Sequence, residues 1–157
     1  MLINLEWLKS RNACQTHIRI FSKEWPDGCE LNRENLQRAL DLGLSIDWLT
    51  YVMVSSDSYN EYNTKRNSAR AKFERVVDPV YTLLRENLAL LRAKANEKPD
   101  WTQNEYDEKR VAIYAVHREK CKLLEAEYAA KVGTFAIDTL IDYLSAEDEA
   151  SLGAQQR

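Results

Sequence analysis

Thirty consecutive residues, 102–131, contain neither proline nor glycine, and no other stretch constrains the fold as much. Thr102 with Glu105 three positions later is a capping box, in which a hydroxyl and a carboxylate satisfy free amide groups at a helix start. Behind it Tyr106, Ile113, His117, Cys121, Leu124 and Tyr128 recur at spacings of seven, four, four, three and four, which puts them on one side of a helix. Glu105, Asp107 and Glu108 crowd the first turns, where the helix dipole favours negative charge. At 1.5 Å per residue this rod is about 45 Å long. A single amphipathic helix cannot bury its own stripe, so an equally long element has to lie beside it.

Residues 59–95 supply that element. Tyr62, Ala69, Phe73, Val76, Val80, Leu84, Leu88 and Leu91 lie at spacings of three, four and seven. Asp78-Pro79 interrupts the pattern, and proline removes a hydrogen bond and clashes with the preceding turn, so a kink or a break is expected there. Residues 96–100 (Asn-Glu-Lys-Pro-Asp) read as a loop, after which the rod from Thr102 returns antiparallel to the first. Gly133 is a weak point in the second rod, but Phe135, Ile137, Leu140, Ile141 and Leu144 continue its pattern. Ser145-Ala-Glu-Asp starts a second capping-box-like sequence, for a final short helix. The tail from Gly153 is expected to lack order.

The first 54 residues read as a compact head of three or four short helices. Leu2, Leu5 and Leu8 mark a helix over 2–9, and Ile18, Phe21 and Trp25 mark a second over 13–25 that ends at the turn Pro26-Asp27-Gly28. Asn32 is an N-cap for a third, with Leu36, Ala39 and Leu40 apolar and Gly43 at the C′ position. A fourth covers 46–54, with Trp48, Leu49 and Val52 apolar. No strand is expected; Tyr51-Val-Met-Val54 is the one β-like run and is too short to outweigh its helical surroundings. The fold class is therefore all-α: a short-helix head over 1–54, a long antiparallel αα-hairpin over 55–145, and a short C-terminal helix with its tail over 146–157.

Four glycines and three prolines in 157 residues suit few, long elements. The net charge of −3 makes no global case for nucleic acid, but the charge is uneven. Residues 1–56 carry a balance of −1, residues 57–98 of +3, and residues 99–157 of −5. The opposed signs of the two rods suit their packing on each other. Three cysteines, Cys14, Cys29 and Cys121, with no CxxC spacing, argue against a disulfide framework and against a cysteine zinc site. The start has no basic segment followed by an apolar run, and no stretch approaches the ~20 apolar residues of a membrane span. The expectation is a soluble cytoplasmic protein with no membrane contact.

Catalytic constellations are missing from the sequence: there is no glycine-rich phosphate loop, GxSxG, HExxH or DxDxDG. His117 and Cys121, four apart, face the same way, as do Cys14 and His17. Such a pair needs further ligands to hold a metal and an oxyanion site to act as a nucleophile, and a histidine on an apolar stripe is ordinarily a packed residue. The carboxylate pairs along the second rod read as solvated faces. No enzyme activity, cofactor or metal is expected. Two binding classes remain. Lys65, Arg66, Arg70, Lys72 and Arg75 cluster at the start of the first rod, with Glu74 the only acid among them, and could contact phosphates; pairing with the acidic later rod is the competing reading. A protein interface is the other class, with Tyr59, Tyr62, Arg66, Arg70 and Trp101 as its residues. Trp101, beside the hairpin loop, is the residue most expected to be exposed. Apolar stripes on a long hairpin also suit a homodimer closed as a four-helix bundle.

The string Leu8-Lys9, Ala13-Cys14, Ile18, Phe21, Trp25-Pro26-Asp27-Gly28, Asn32-Arg-Glu-Asn-Leu36, Ala39, Gly43-Leu44 and Trp48-Leu49 resembles a short helical motif at the N-terminus of small proteins encoded by bacteriophages and prophages. The resemblance covers about a third of the chain and carries no residue roles. It implies a mobile-element accessory protein that binds and blocks host machinery, CRISPR effectors among them. The function expected is non-enzymatic binding of a host protein, inhibiting a host system by occlusion; DNA or RNA binding through the basic stretch is the alternative.

Overall fold

A computed structural model describes residues 1–98 and 101–155. The chain is all-α apart from one minimal ladder: β1 (Leu2–Ile3), α1 (Leu5–Ser10), α2 (Gln15–Glu24), β2 (Cys29–Glu30), α3 (Arg33–Asp41), α4 (Ile46–Met53), α5 (Ser56–Glu97) and α6 (Gln103–Gln155). The two long helices pack on each other as an antiparallel hairpin.

Local chemistry sets the head helices. Asn4, Asn32 and Ser45 sit in extended backbone, and each side chain accepts the amide hydrogen of the residue three positions on, at 2.9, 2.9 and 3.1 Å. Cys14 caps α2 in the same way through Sγ, 3.5 Å from the His17 amide. The Asn4 cap explains one departure from the sequence reading. The helix expected over 2–9 starts only at Leu5, and Leu2 and Ile3 instead pair antiparallel with Glu30 and Cys29. The expected absence of strands is corrected to this two-residue ladder, which a pattern of apolar spacing does not register. Gly28 permits it: its φ is +102°, and a Cβ there would lie 2.9 Å from the Ile3 carbonyl oxygen.

The long helices are more continuous than the sequence indicates. No break occurs at Pro79, which is exposed. Apolar residues on either side, Phe73 and Val80, hold the helix to its course. The expected loop over 96–100 shortens, because α5 runs to Glu97; Pro99 and Asp100 lie outside the described residues. The Thr102 capping box forms as read: Glu105 Oε2 accepts from the Thr102 amide at 2.8 Å, and Thr102 Oγ1 accepts from the Glu105 amide at 3.3 Å. No separate helix starts at Ser145; its hydroxyl donates to the Ile141 carbonyl at 2.9 Å, a bond made inside a continuing helix. Gly153 to Gln155 therefore continue α6, against the expected tail, and the last two residues lie outside the described set.

The chain forms two compact units, one of Met1–Arg66 with the described part of Val132–Arg157 and one of Asn67–Lys131. These divisions differ from the expected boundaries at 54/55 and 145/146. The first unit holds the main core, in which Leu36, Tyr62, Ile137 and Leu140 are almost wholly buried. Each such side chain contributes about 1.5–3 kcal/mol. Thr50 is buried with its hydroxyl donating to the Ile46 carbonyl at 2.9 Å. Gly133 lies where α6 passes α3: a Cβ there would fall 2.4 Å from Leu40 Cδ2 and 3.1 Å from Cγ. The ion pair Arg33–Asp138, at 2.8 Å, ties the same two helices. In the second unit Phe73 stacks on Tyr128 at 4.9 Å and Tyr81 meets His117 edge-on at 4.8 Å. Ala69, Val80, Leu91 and Cys121 are its buried residues.

Gly133 gives the first prediction. Alanine normally gains about 1 kcal/mol over glycine inside a helix, but overpacking costs about 1–3 kcal/mol. The overlap reaches Leu40 Cγ, so the second effect wins. Gly133→Ala is expected to destabilise the protein by about 1 kcal/mol in urea unfolding, and adding Leu40→Ala to it should cost less than Leu40→Ala costs the native chain.

Candidate functional site

The residues with the most defined mutual geometry lie where α4 hands over to α5. The Ser45 cap places Asp47 in the first turn of α4, and Tyr51, four residues on, shares its face. Ser55 then starts the next helix, its Oγ accepting from the Ser58 amide at 3.3 Å. Spacings of three and four along α5 bring Tyr59, Tyr62 and Arg66 to the side that meets α4. The result is a ladder of three tyrosines graded from water to core. Tyr51 is 63% exposed, Tyr59 half-buried, and Tyr62 fully buried. The Tyr51 and Tyr59 rings meet edge-on at 5.2 Å, and Tyr59 and Tyr62 tilt against each other at 5.9 Å.

Charge fixes the inner rung. The Tyr62 hydroxyl donates to Asp47 Oδ1. Arg66 Nη1 donates to the same oxygen at 2.9 Å, and its guanidinium lies over the Tyr62 ring, 5.6 Å from the centroid. Burial, reinforced by the neighbouring Asp47 carboxylate, pushes the Tyr62 phenol well above its ordinary range. Arg66 and Asp47 keep 33% and 46% of their side-chain surface in water, so their ion pair is worth little by itself. The bond from the buried hydroxyl to a charged acceptor is the stronger contribution.

The structure thus brings three of the five expected interface residues together and reassigns one of them. Tyr62 was expected at the surface and is fully buried; its neighbours on a helix stripe made it a core position. Arg66 is half-buried and already paired. Arg70 is exposed and bonded to Glu74 on its own helix at 2.9 Å. Trp101, expected to be the exposed anchor, is half-buried in the second unit with Lys109 Nζ 5.6 Å from its ring. Tyr51 is not among those five and joins the group through its place one turn after Asp47. Asp47 was missed; its signal was the Ser45 cap, which fixes the helical register and so aligns Asp47 with Tyr51.

The basic stretch is partly neutralised. Lys65 bonds Glu61 at 2.9 Å, and Arg66 and Arg70 are paired as above. Lys72 and Arg75 are exposed with no ion pair among the described residues. The expected pairing with the acidic later rod is corrected: the close partners lie on α5 itself and on α4, and Asp142 and Asp138 reach Lys65 only as longer-range attraction. His117 and Cys121 do face each other, with Cys121 Sγ 3.4 Å from His117 Nδ1, but the thiol is buried. Among the described residues no three His, Cys, Asp or Glu side chains are grouped to hold a metal ion, and no helix is long and apolar enough to cross a membrane. A cavity of about 60 Å³ inside the head is lined almost wholly by apolar side chains such as Phe21, Leu36 and Leu49, a lining that does not hold water well.

Tyr62 makes stability pH-dependent in a definite direction. Its folded-state pKa lies above the unfolded value of about 10, so its contribution is complete below pH 10 and falls as pH rises towards the folded value. Urea unfolding between pH 9 and pH 11 should show stability dropping in the native chain by up to about 1.4 kcal/mol per pH unit from this group. Tyr62→Phe should cost about 1.5–3 kcal/mol at pH 7 and show a shallower alkaline loss; equal slopes for the two proteins would refute the assignment. No protein-family model, curated protein or solved structure matches the chain.

Proposed function

We propose that the protein is a non-enzymatic binding factor that occludes a surface of a partner protein through the Tyr51–Tyr59 surface. The supporting observation is the graded tyrosine ladder. Tyr51 offers a large amphipathic ring to solvent, and the rings beneath it are held by packing and by the Asp47–Tyr62–Arg66 bonds. A ring so supported loses little side-chain freedom on binding, which is why rigid aromatic anchors dominate interface energetics. The resemblance of the first fifty residues to phage- and prophage-encoded accessory proteins favours host machinery as the partner, a CRISPR effector or another defence complex being the kind of target. Nucleic-acid binding through Lys65, Arg66, Arg70, Lys72 and Arg75 is the weaker reading, since three of these five cations are engaged in ion pairs.

Tagged protein incubated with bacterial host lysate, with and without nuclease, separates the two readings. Occlusion predicts a discrete protein recovered in both samples. Tyr51→Ala should lower its recovery by about 30-fold in affinity, the effect of removing a 2 kcal/mol anchor, while the circular dichroism spectrum stays unchanged. Recovery that vanishes with nuclease and is indifferent to Tyr51→Ala would move the function to the basic stretch.

A further inference from the structure

We propose that the second unit is a dimerisation module, in which two copies of this chain close a four-helix bundle about a two-fold axis running along the hairpin. Val76, Leu83 and Leu90 on α5 are 52%, 48% and 59% exposed, and Val116 and Leu123 on α6 are 73% and 64% exposed. Both rows repeat every seven residues. Helical geometry sets the α5 row about 80° to one side of the inner stripe of Val80, Leu84 and Leu91, and the α6 row about 130° to the same rotational side of His117 and Cys121. In an antiparallel pair these two sides look the same way. A groove of about 280 Å³ confirms it, because Leu83, Asn87, Val116 and Lys120 line it together.

A seven-residue apolar repeat on two adjacent helices calls for two more helices of the same repeat packed at a shallow angle. The face runs from Lys72 to Lys94, about 33 Å, and is two helices wide. That is of the order needed for a specific interface, about 800 Å² of accessible surface per partner.

The charges at its two ends select the partner and the axis. Lys72 lies one turn before Val76 and Glu127 one turn after Leu123, and both line a second groove on this face. Lys94 lies one turn after Leu90, and the register that sets Phe73 against Tyr128 and Tyr81 against His117 carries it to the height of Glu105. Glu105 spends one carboxylate oxygen on the Thr102 cap and keeps the other. With the axis along the helices, α5 of one copy meets α6 of the other at equal height. Lys72 then meets the partner's Glu127 and Lys94 meets the partner's Glu105, with Val76 against the partner's Leu123 and Leu83 against the partner's Val116 between them. An axis perpendicular to the helices would set Lys72 against Lys94 and Glu127 against Glu105. These end charges are complementary in the first arrangement and repel in the second. It uses none of the Tyr51–Tyr59 surface, so the two proposals stand or fall separately.

Sedimentation of the full chain over a range of concentrations is the test. A mass twice the 18.3 kDa of one chain is expected, and a single-chain mass up to hundreds of micromolar overturns the proposal. Leu83→Glu with Val116→Glu should give a monomer of unchanged helicity; a persisting dimer overturns it. The axis is read from two surface variants. Lys72→Glu and Glu127→Lys should each dimerise about tenfold or more weakly alone, because like charges then face each other. Mixed, they should pair with native strength, since both contacts are restored in the heterodimer. A mixture no tighter than either variant alone overturns the assignment.

Discussion

The head cannot close its core from its own residues, and the rest of the structure follows from that. Four short helices and a two-residue ladder share one core with Ala136, Ile137 and Leu140, which arrive on α6 some ninety residues later. Burial of this kind is non-directional and scales with area, so α6 must come close. Gly133 allows that approach, since a Cβ there would overlap Leu40. The buried Thr50 hydroxyl, bonded to Ile46 in α4, also reaches to 3.5 Å from the Ala136 carbonyl oxygen. The first unit is thus stapled from both ends of the chain.

This closure also organises the candidate surface. Tyr62 is buried because α4 and the C-terminal part of α6 belong to the same core as the start of α5. Once buried, its hydroxyl needs an acceptor, and Asp47 provides one that also holds Arg66. Tyr59 and Tyr51 rest on this fixed base. An exposed ring on a rigid support is different in kind from a tyrosine on a mobile loop, because binding does not have to order it.

The second unit poses the opposite problem. Two helices alone can bury only one stripe each, and the hairpin carries more apolar surface than that stripe. Val116, at 73% exposure, and Leu123, at 64%, lie outside the contact between α5 and α6. The proposed dimer would cover this surface, and its seven-residue period and end charges are what a second hairpin of the same kind would match.

Helix type, the caps at Asn32 and Thr102, and the antiparallel return of the second rod followed from the sequence alone, because hydrogen-bond capping and apolar periodicity act within a few residues. So did the alignment of His117 with Cys121, which is a property of one helix. The tertiary structure decided the rest. It carried α5 through Pro79 and α6 through Gly133 and Ser145, overriding local breakers with packing on both sides. It turned Leu2 and Ile3 from a helical start into a ladder, drew Tyr62 inside, half-buried Trp101, and joined Asp47 to Arg66 across nineteen positions. Local signals specify which residues share a face of one element; which faces meet depends on long-range burial, and only the folded chain expresses it.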